Sequence, residues 1–112
     1  MALDILVVDD EADICDLVSG ILEDEGHQAR TAANSQEASA EIVSRLPSLV
    51  ILDIWLQDSE MDGLALLEWV KHEYPELPVV MISGHGSVET AVASIKKGAT
   101  DRGVTMALGR SL

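Results

Sequence analysis

A single cysteine, Cys15, leaves the chain without an internal disulfide, so a reducing compartment, the cytoplasm, is expected. The residue reads as a small buried hydrophobe rather than a reactive thiol. Basic residues are scarce as well: 7 Lys and Arg stand against 20 Asp and Glu, for a net charge of −13. DNA and anionic membrane both need clustered cations to neutralise phosphates, so neither is an expected direct partner. The acidic balance instead leaves room for a cation site or a basic protein partner. No apolar run approaches the roughly 20 residues of a membrane-spanning helix. Asp4, Asp9 and Asp10 interrupt the first apolar segment, where a secretory signal would be continuous. His27, His72 and His85 show no paired ligand spacing, which disfavours zinc. Internal repeats, linkers and low-complexity stretches are also lacking.

What remains is a chain of 112 residues, 47% apolar, long enough for one domain with one core. The run Leu49-Val50-Ile51-Leu52 reads as a strand buried on both faces, as in parallel sheets, and it ends in Asp53. An earlier strand, Leu3 to Val8, stops at Asp9-Asp10-Glu11. Between them, Ile14, Leu17, Val18, Ile21 and Leu22 recur at helical spacing and Gly26 closes that helix. His27 to Ala32 is a more polar strand suited to a sheet edge. Asn34 with Glu37 resembles a capping box for a second helix, with Ala38, Ile42, Val43 and Leu46 facing inward and Pro47 ending it. Asp62-Gly63 leads a third helix with Leu64, Leu67, Val70 and Tyr74 inward. A fourth strand, Val79 to Ile82, and a fourth helix over 88–95 follow. Strands alternating with helices predict one α/β domain, a doubly wound parallel sheet with right-handed crossovers.

In such a sheet the chemistry collects at the carboxyl ends of the strands. If the first and third strands are neighbours, as in the order 2-1-3-4-5, Asp9, Asp10 and Asp53 converge within a few ångströms. Like charges at that range repel, and a hard divalent cation is the usual remedy. Oxygen-only ligands suit Mg²⁺. A carboxylate beside such a cation can attack phosphorus, making Asp53 an acyl phosphate, with Ser83 at the end of the fourth strand bonding a phosphoryl oxygen. The plainer reading stays open: Asp9 and Asp10 would simply cap the first helix at its positive end, and Ser83 would be a turn residue.

Val7-Val8-Asp9-Asp10-Glu11, the strand ending in Asp53, Met61-Asp62-Gly63, Met81-Ile82-Ser83-Gly84 and Lys97-Gly98-Ala99 together resemble a two-component response-regulator receiver domain. Each fragment is weak alone; all five in order at matching spacing are specific. The wording around Asp53 and Ser83 is similar to receivers of the NtrC/NtrX class. The resemblance implies a flavodoxin-like (CheY-like) fold over residues 1–101. It also implies that Asp53 is the phosphoacceptor for a sensor histidine kinase and that Ser83 is the switch hydroxyl. Asp10 and Asp53 would be direct Mg²⁺ ligands, with Asp9 acting through water and the Trp55 backbone carbonyl completing the shell. The loop after Asp53 is about two residues longer than the commonest form and lacks its proline, as in NtrX-like receivers. A dehalogenase-type phosphatase would want a second Asp at position 55, where Trp55 stands, and an FMN binder would want a Ser/Thr/Gly-rich loop where this chain has three acids.

The segment 102–112 departs from the family. Arg102 stands where the switch aromatic belongs, Thr105 where the phosphate-binding lysine belongs, and Met106 replaces a proline. Apolar residues at 104, 106 and 108 permit a short, atypical fifth strand, and the family's last helix is not expected to follow it. Mg²⁺ binding should survive, while phosphorylation is slower or uncoupled from a structural response; a pseudo-receiver acting only in protein interaction is the alternative. An uncovered sheet face is a mark of association, so a homodimer is expected. Light scattering at high protein concentration should return the dimer mass, and a clean monomer would count against it.

Overall fold

The structure is a computed structural model that describes residues 2–57, 59–83 and 104–107. Its elements, in chain order, are β1 (Asp4–Val8), α1 (Ala12–Asp24), β2 (Gln28–Ala32), α2 (Ser35–Ser44), β3 (Leu49–Asp53), α3 (Gly63–Glu73), β4 (Val79–Ile82) and β5 (Val104–Ala107). The sheet runs β2-β1-β3-β4-β5 with every pairing parallel, the expected doubly wound order. The helix expected over 88–95 lies outside the described residues, as do Arg102 and residues 108–112.

Alternation along the strands divides the core into two layers. Ile5, Val7, Leu49, Ile51, Val80 and Ile82 meet Ile14, Val18 and Leu22 of α1. Leu6, Val8, Val50, Leu52 and Met81 meet Ala38 and Ile42 of α2 and Leu66 and Val70 of α3. Both faces are covered, which is why β3 is apolar at every position before Asp53 rather than at every second one. Each fully buried Val, Leu or Ile contributes roughly 1.5–3 kcal/mol. Such a core can carry unfavourable charge at its rim.

Local chemistry fixes the helix ends. Gly26 takes φ +88°; its N–H donates to the Glu23 carbonyl and that of His27 to the Leu22 carbonyl, at 2.9 and 3.0 Å. Those two bonds are the Schellman closure that glycine permits. The Asn34 Oδ1 accepts from the Glu37 N–H at 2.8 Å, while Glu37 reaches back to the N–H of Ala33 at 2.9 Å, one residue beyond the anticipated box. Asp62 caps α3 through the Ala65 N–H at 2.8 Å.

The inward helix faces are narrower than the sequence pattern predicts. Leu17 is 45% exposed and Val43 is 68% exposed, because at about 100° per residue each lies about 100° from the centre of its buried stripe. Cys15 takes the inward place in α1. Leu46 is exposed because α2 stops at Ser44, before Pro47 is reached. In α3 the buried residues are Gly63, Leu66 and Val70, while Leu64 faces solvent. Gly63 and Leu66 were absent from the expected face since neither continues the 64–67 pairing.

Gly63 places α3 directly on the backbone of the strand end. A Cβ there would meet the carbonyl oxygens of Asp53 and Ile54 well inside van der Waals contact. We expect Gly63→Ala to cost about 1–3 kcal/mol, read as a lowered urea midpoint with unchanged slope; a loss below about 0.5 kcal/mol would contradict the close approach.

Candidate functional site

The site begins where β1 and β3 run out side by side. Val8 pairs with Leu52, so the next residue of each strand carries its carboxylate to the same rim. Oxygens of Asp9, Asp10 and Asp53 lie within 4.8 Å of one another. At an effective dielectric of about 20, ionised carboxylates at that range repel by roughly 3 kcal/mol per pair.

Asp9 is 1% exposed. Its Oδ1 accepts from the Glu11 N–H at 2.9 Å, but its buried Oδ2 has no hydrogen-bond partner. Burial first, then the charges of Asp53 and Asp10, push this carboxyl up to about 6, against the bond from Glu11 that pulls it down. Asp53 is 5% exposed, and its Oδ1 accepts from the Trp55 N–H at 3.0 Å. Burial is again the main cause of its rise to about 6; the Trp55 amide opposes, and Asp10 adds to it. Asp10 is exposed. The described basic side chains are committed elsewhere: Arg30 and Arg45 to Asp4, with Arg30 also on Glu41, and Lys71 to the Leu77 carbonyl.

A pocket of about 170 Å³ opens above, lined by Asp10, Glu11, Ile14, Asp53, Trp55, Gln57 and Ser83. At roughly 30 Å³ per water, it has space for a small ion with waters beside an incoming group. Ser83 follows Ile82, the partner of Asp53 in the β3–β4 register, so serine and aspartate share one cavity. The Trp55 side chain is 67% exposed; its backbone belongs to the site through the amide on Asp53. Glu11, Ile14 and Gln57 were not anticipated. Glu11 carried a signal as the third acid of its run, whereas Ile14 and Gln57 reach the pocket only through the fold.

The capping alternative accounts for part of this. Asp9 does bond the backbone at the start of α1, yet Glu11 is the N-cap and makes no side-chain cap bond, and the second oxygen of Asp9 is left over. A buried carboxylate oxygen without a donor, among other hard oxygens, fits a divalent cation such as Mg²⁺. Thr105 lies elsewhere than family spacing suggests. It pairs with Val80, and Ala107 pairs with Ile82.

A parallel sheet in the order 2-1-3-4-5 with an acidic rim at the end of β1 and β3 is a receiver-type fold. Residues 5–102 match the family model for the response regulator receiver domain, and the chain belongs to that family. It is 65% identical over 101 residues to the nitrogen assimilation regulatory protein NtrX of Azorhizobium caulinodans, covering 90% of this chain and 22% of that protein. The crystal structure of the receiver domain of NtrX from Brucella abortus is similar at TM-score 0.72 and 62% identity, over 92% of this chain and 84% of that one. The beryllofluoride-activated NtrC4 receiver domain dimer, solved in solution, is similar at TM-score 0.67 and 40% identity, over 92% and 82%. The chain spans about a fifth of the length of the curated relatives it matches. Among the described residues no helix is long and apolar enough to cross a membrane.

The raised carboxyls have a signed consequence. Without a cation, Asp9 and Asp53 hold protons between about pH 4 and 6 in the folded chain and not in the unfolded one. Their contribution to stability is therefore retained below that window and lost as pH rises through it. In chelator at pH 7, Asp9→Asn should be more stable than the parent by about 1–3 kcal/mol, and the gap should close near pH 4. Urea unfolding across that range checks it; a gap independent of pH would contradict the electrostatic origin.

Proposed function

We propose that this receiver domain accepts a phosphoryl group on Asp53 from the phosphohistidine of a sensor histidine kinase, with Mg²⁺ held by Asp10, Asp53, the Trp55 carbonyl and, through water, Asp9. The observation that carries the reading is the convergence of three carboxylates, one with an orphaned buried oxygen, on a pocket shared by Asp53 and Ser83. One oxygen of Asp53 is held by the Trp55 amide, which orients the carboxylate and leaves the other oxygen to attack. As the new O–P bond forms, the N–P bond to the donor imidazole breaks and its electron pair returns to the ring. A divalent cation bound at the rim would neutralise charge on the transferring group. The Ser83 hydroxyl, one residue beyond the strand partner of Asp53, bonds a phosphoryl oxygen and acts as the switch hydroxyl.

The domain acts as a phosphoacceptor rather than as a classical enzyme and controls an output by a conformational switch. A cytoplasmic location fits the lone, buried Cys15. Direct nucleic-acid or membrane contact by this domain is not part of the reading, given the charge of −13. A homodimer is in keeping with the dimeric NtrC4 receiver. The family match over 5–102 supports a receiver of residues 1–101 followed by an atypical tail, 102–112. The placement of Thr105 beside Val80 favours a second reading, a pseudo-receiver that binds Mg²⁺ and partners without switching.

Incubation with a small phosphodonor and Mg²⁺ should add one phosphoryl group by intact mass, and Asp53→Asn should abolish it. Beryllofluoride should perturb Trp55 fluorescence in the parent only. Mg²⁺ binding without any phosphoryl uptake would select the pseudo-receiver.

A further inference from the structure

We propose that Ser35 is a positioning residue for the phosphoacceptor: through the connection that follows Asp53, it holds the backbone that contacts the reactive carboxylate. The inference rests on the Asp53 reading above. The connection, residues 54–62, contains neither proline nor glycine and is one of the longer ones in the chain. Its order must come from contacts rather than from restricted dihedrals.

Those contacts converge on the first turn of α2. Ser35 is 1% exposed. Its N–H donates to Ser59 Oγ at 2.7 Å, and its hydroxyl accepts from the Met61 N–H at 3.1 Å. The same hydroxyl donates to Gln36 Oε1 at 3.1 Å, an oxygen that also accepts from the Glu60 N–H at 3.4 Å. Three consecutive residues of the connection are thereby tied to α2. A buried hydroxyl is costly unless both its capacities are used; here both are used on or beside the connection.

The tie reaches Asp53 because the connection is a closed circuit. At its start, the Ile54 N–H donates to the Ile82 carbonyl at 2.9 Å and the Trp55 N–H to Asp53 Oδ1 at 3.0 Å. At its end, Gly63 packs on the carbonyls of Asp53 and Ile54 without clearance. Leu56 is buried, and Met61 packs on the same core layer as Ala38 and Ile42 of α2. With Gly63 packed against those carbonyls, slack released at 59–61 is taken up on the Asp53 side of the connection. That side carries the amide on Asp53 and the carbonyl offered to the cation.

The test compares the parent with Ser35→Ala, which removes the acceptor for Met61, and Ser35→Thr, which keeps it. Hydrogen exchange at the Trp55 and Met61 amides is measured beside a Mg²⁺ titration followed by Trp55 fluorescence, well below each melting temperature. Ser35→Ala should speed exchange at both amides at least tenfold while β1 amides hold. It should weaken Mg²⁺ affinity about three- to tenfold, and Ser35→Thr should restore both. Faster exchange confined to Met61, with Trp55 exchange and Mg²⁺ affinity within twofold of the parent, would overturn the proposal and leave local packing. A parent that binds no Mg²⁺ would overturn the site reading instead. Trp55 exchange then decides the clasp alone, acceleration supporting it and its absence refuting it.

Discussion

Three carboxylates held within 4.8 Å of one another, two of them buried, set the electrostatic condition that the rest of the molecule accommodates. Solvent would normally screen such a cluster, but the strands that deliver Asp9 and Asp53 are covered on both faces up to the rim. The same burial that makes the core stable makes these groups expensive to ionise. Separating them is not available to the fold, because β1 and β3 are paired in register from Ile5–Leu49 to Val8–Leu52. Hydrogen bonds from the Glu11 and Trp55 amides satisfy one oxygen each. Remaining charge must be met by protons or by a cation.

The opposite end of the sheet handles acidity differently. Asp4 opens β1 and receives Arg30 through two nitrogens at 3.1 Å and Arg45 at 2.9 Å. Burial alone would raise its carboxyl, yet the two guanidinium groups hold it below the ordinary range. Arg30 also spans to Glu41 and to the carbonyls of Glu41 and Arg45, closing the open side of edge strand β2 onto α2. With so few basic residues in the chain, this allocation matters. The described arginines neutralise the end of the sheet where nothing is expected to bind, and leave the other end electron-rich.

Much of this was readable in the residues. An apolar run without alternation dictated that β3 be buried on both faces, and a doubly wound order then dictated that Asp53 end beside Asp9 and Asp10. Asn34, Asp62 and Gly26 marked helix ends by chemistry that does not depend on the fold. The helix faces were less readable. Leu17, Val43 and Leu64 are as apolar as their buried neighbours, and only the angle at which each helix meets the sheet decides which of them reaches it. Gly63 offered no apolar signal, although its lack of a side chain is what lets α3 sit on the strand end. The bonds between Ser35 and residues 59–61 join positions 24 to 26 apart, a separation for which sequence periodicity has no signature. The register of β5 was likewise invisible, since alternation at 104, 106 and 108 allows several slides along β4.

Site and stability are therefore one problem in this chain. If mutual repulsion at the rim lowers stability at neutral pH, a cation that binds there must raise it by the logarithm of its concentration over its dissociation constant. The gain is not confined to the rim. Asp53 is tied to its connection through the Trp55 amide, the connection to α2 through Ser35, and α3 to the strand end through Gly63. Residue 53 is thereby linked to two helices of one face through hydrogen bonds and one close backbone contact. Close-packed contacts of this kind shift between discrete arrangements rather than yield gradually. Under the proposal that Asp53 accepts a phosphoryl group, this face offers a mechanical path that begins at the Trp55 amide bonded to its carboxylate.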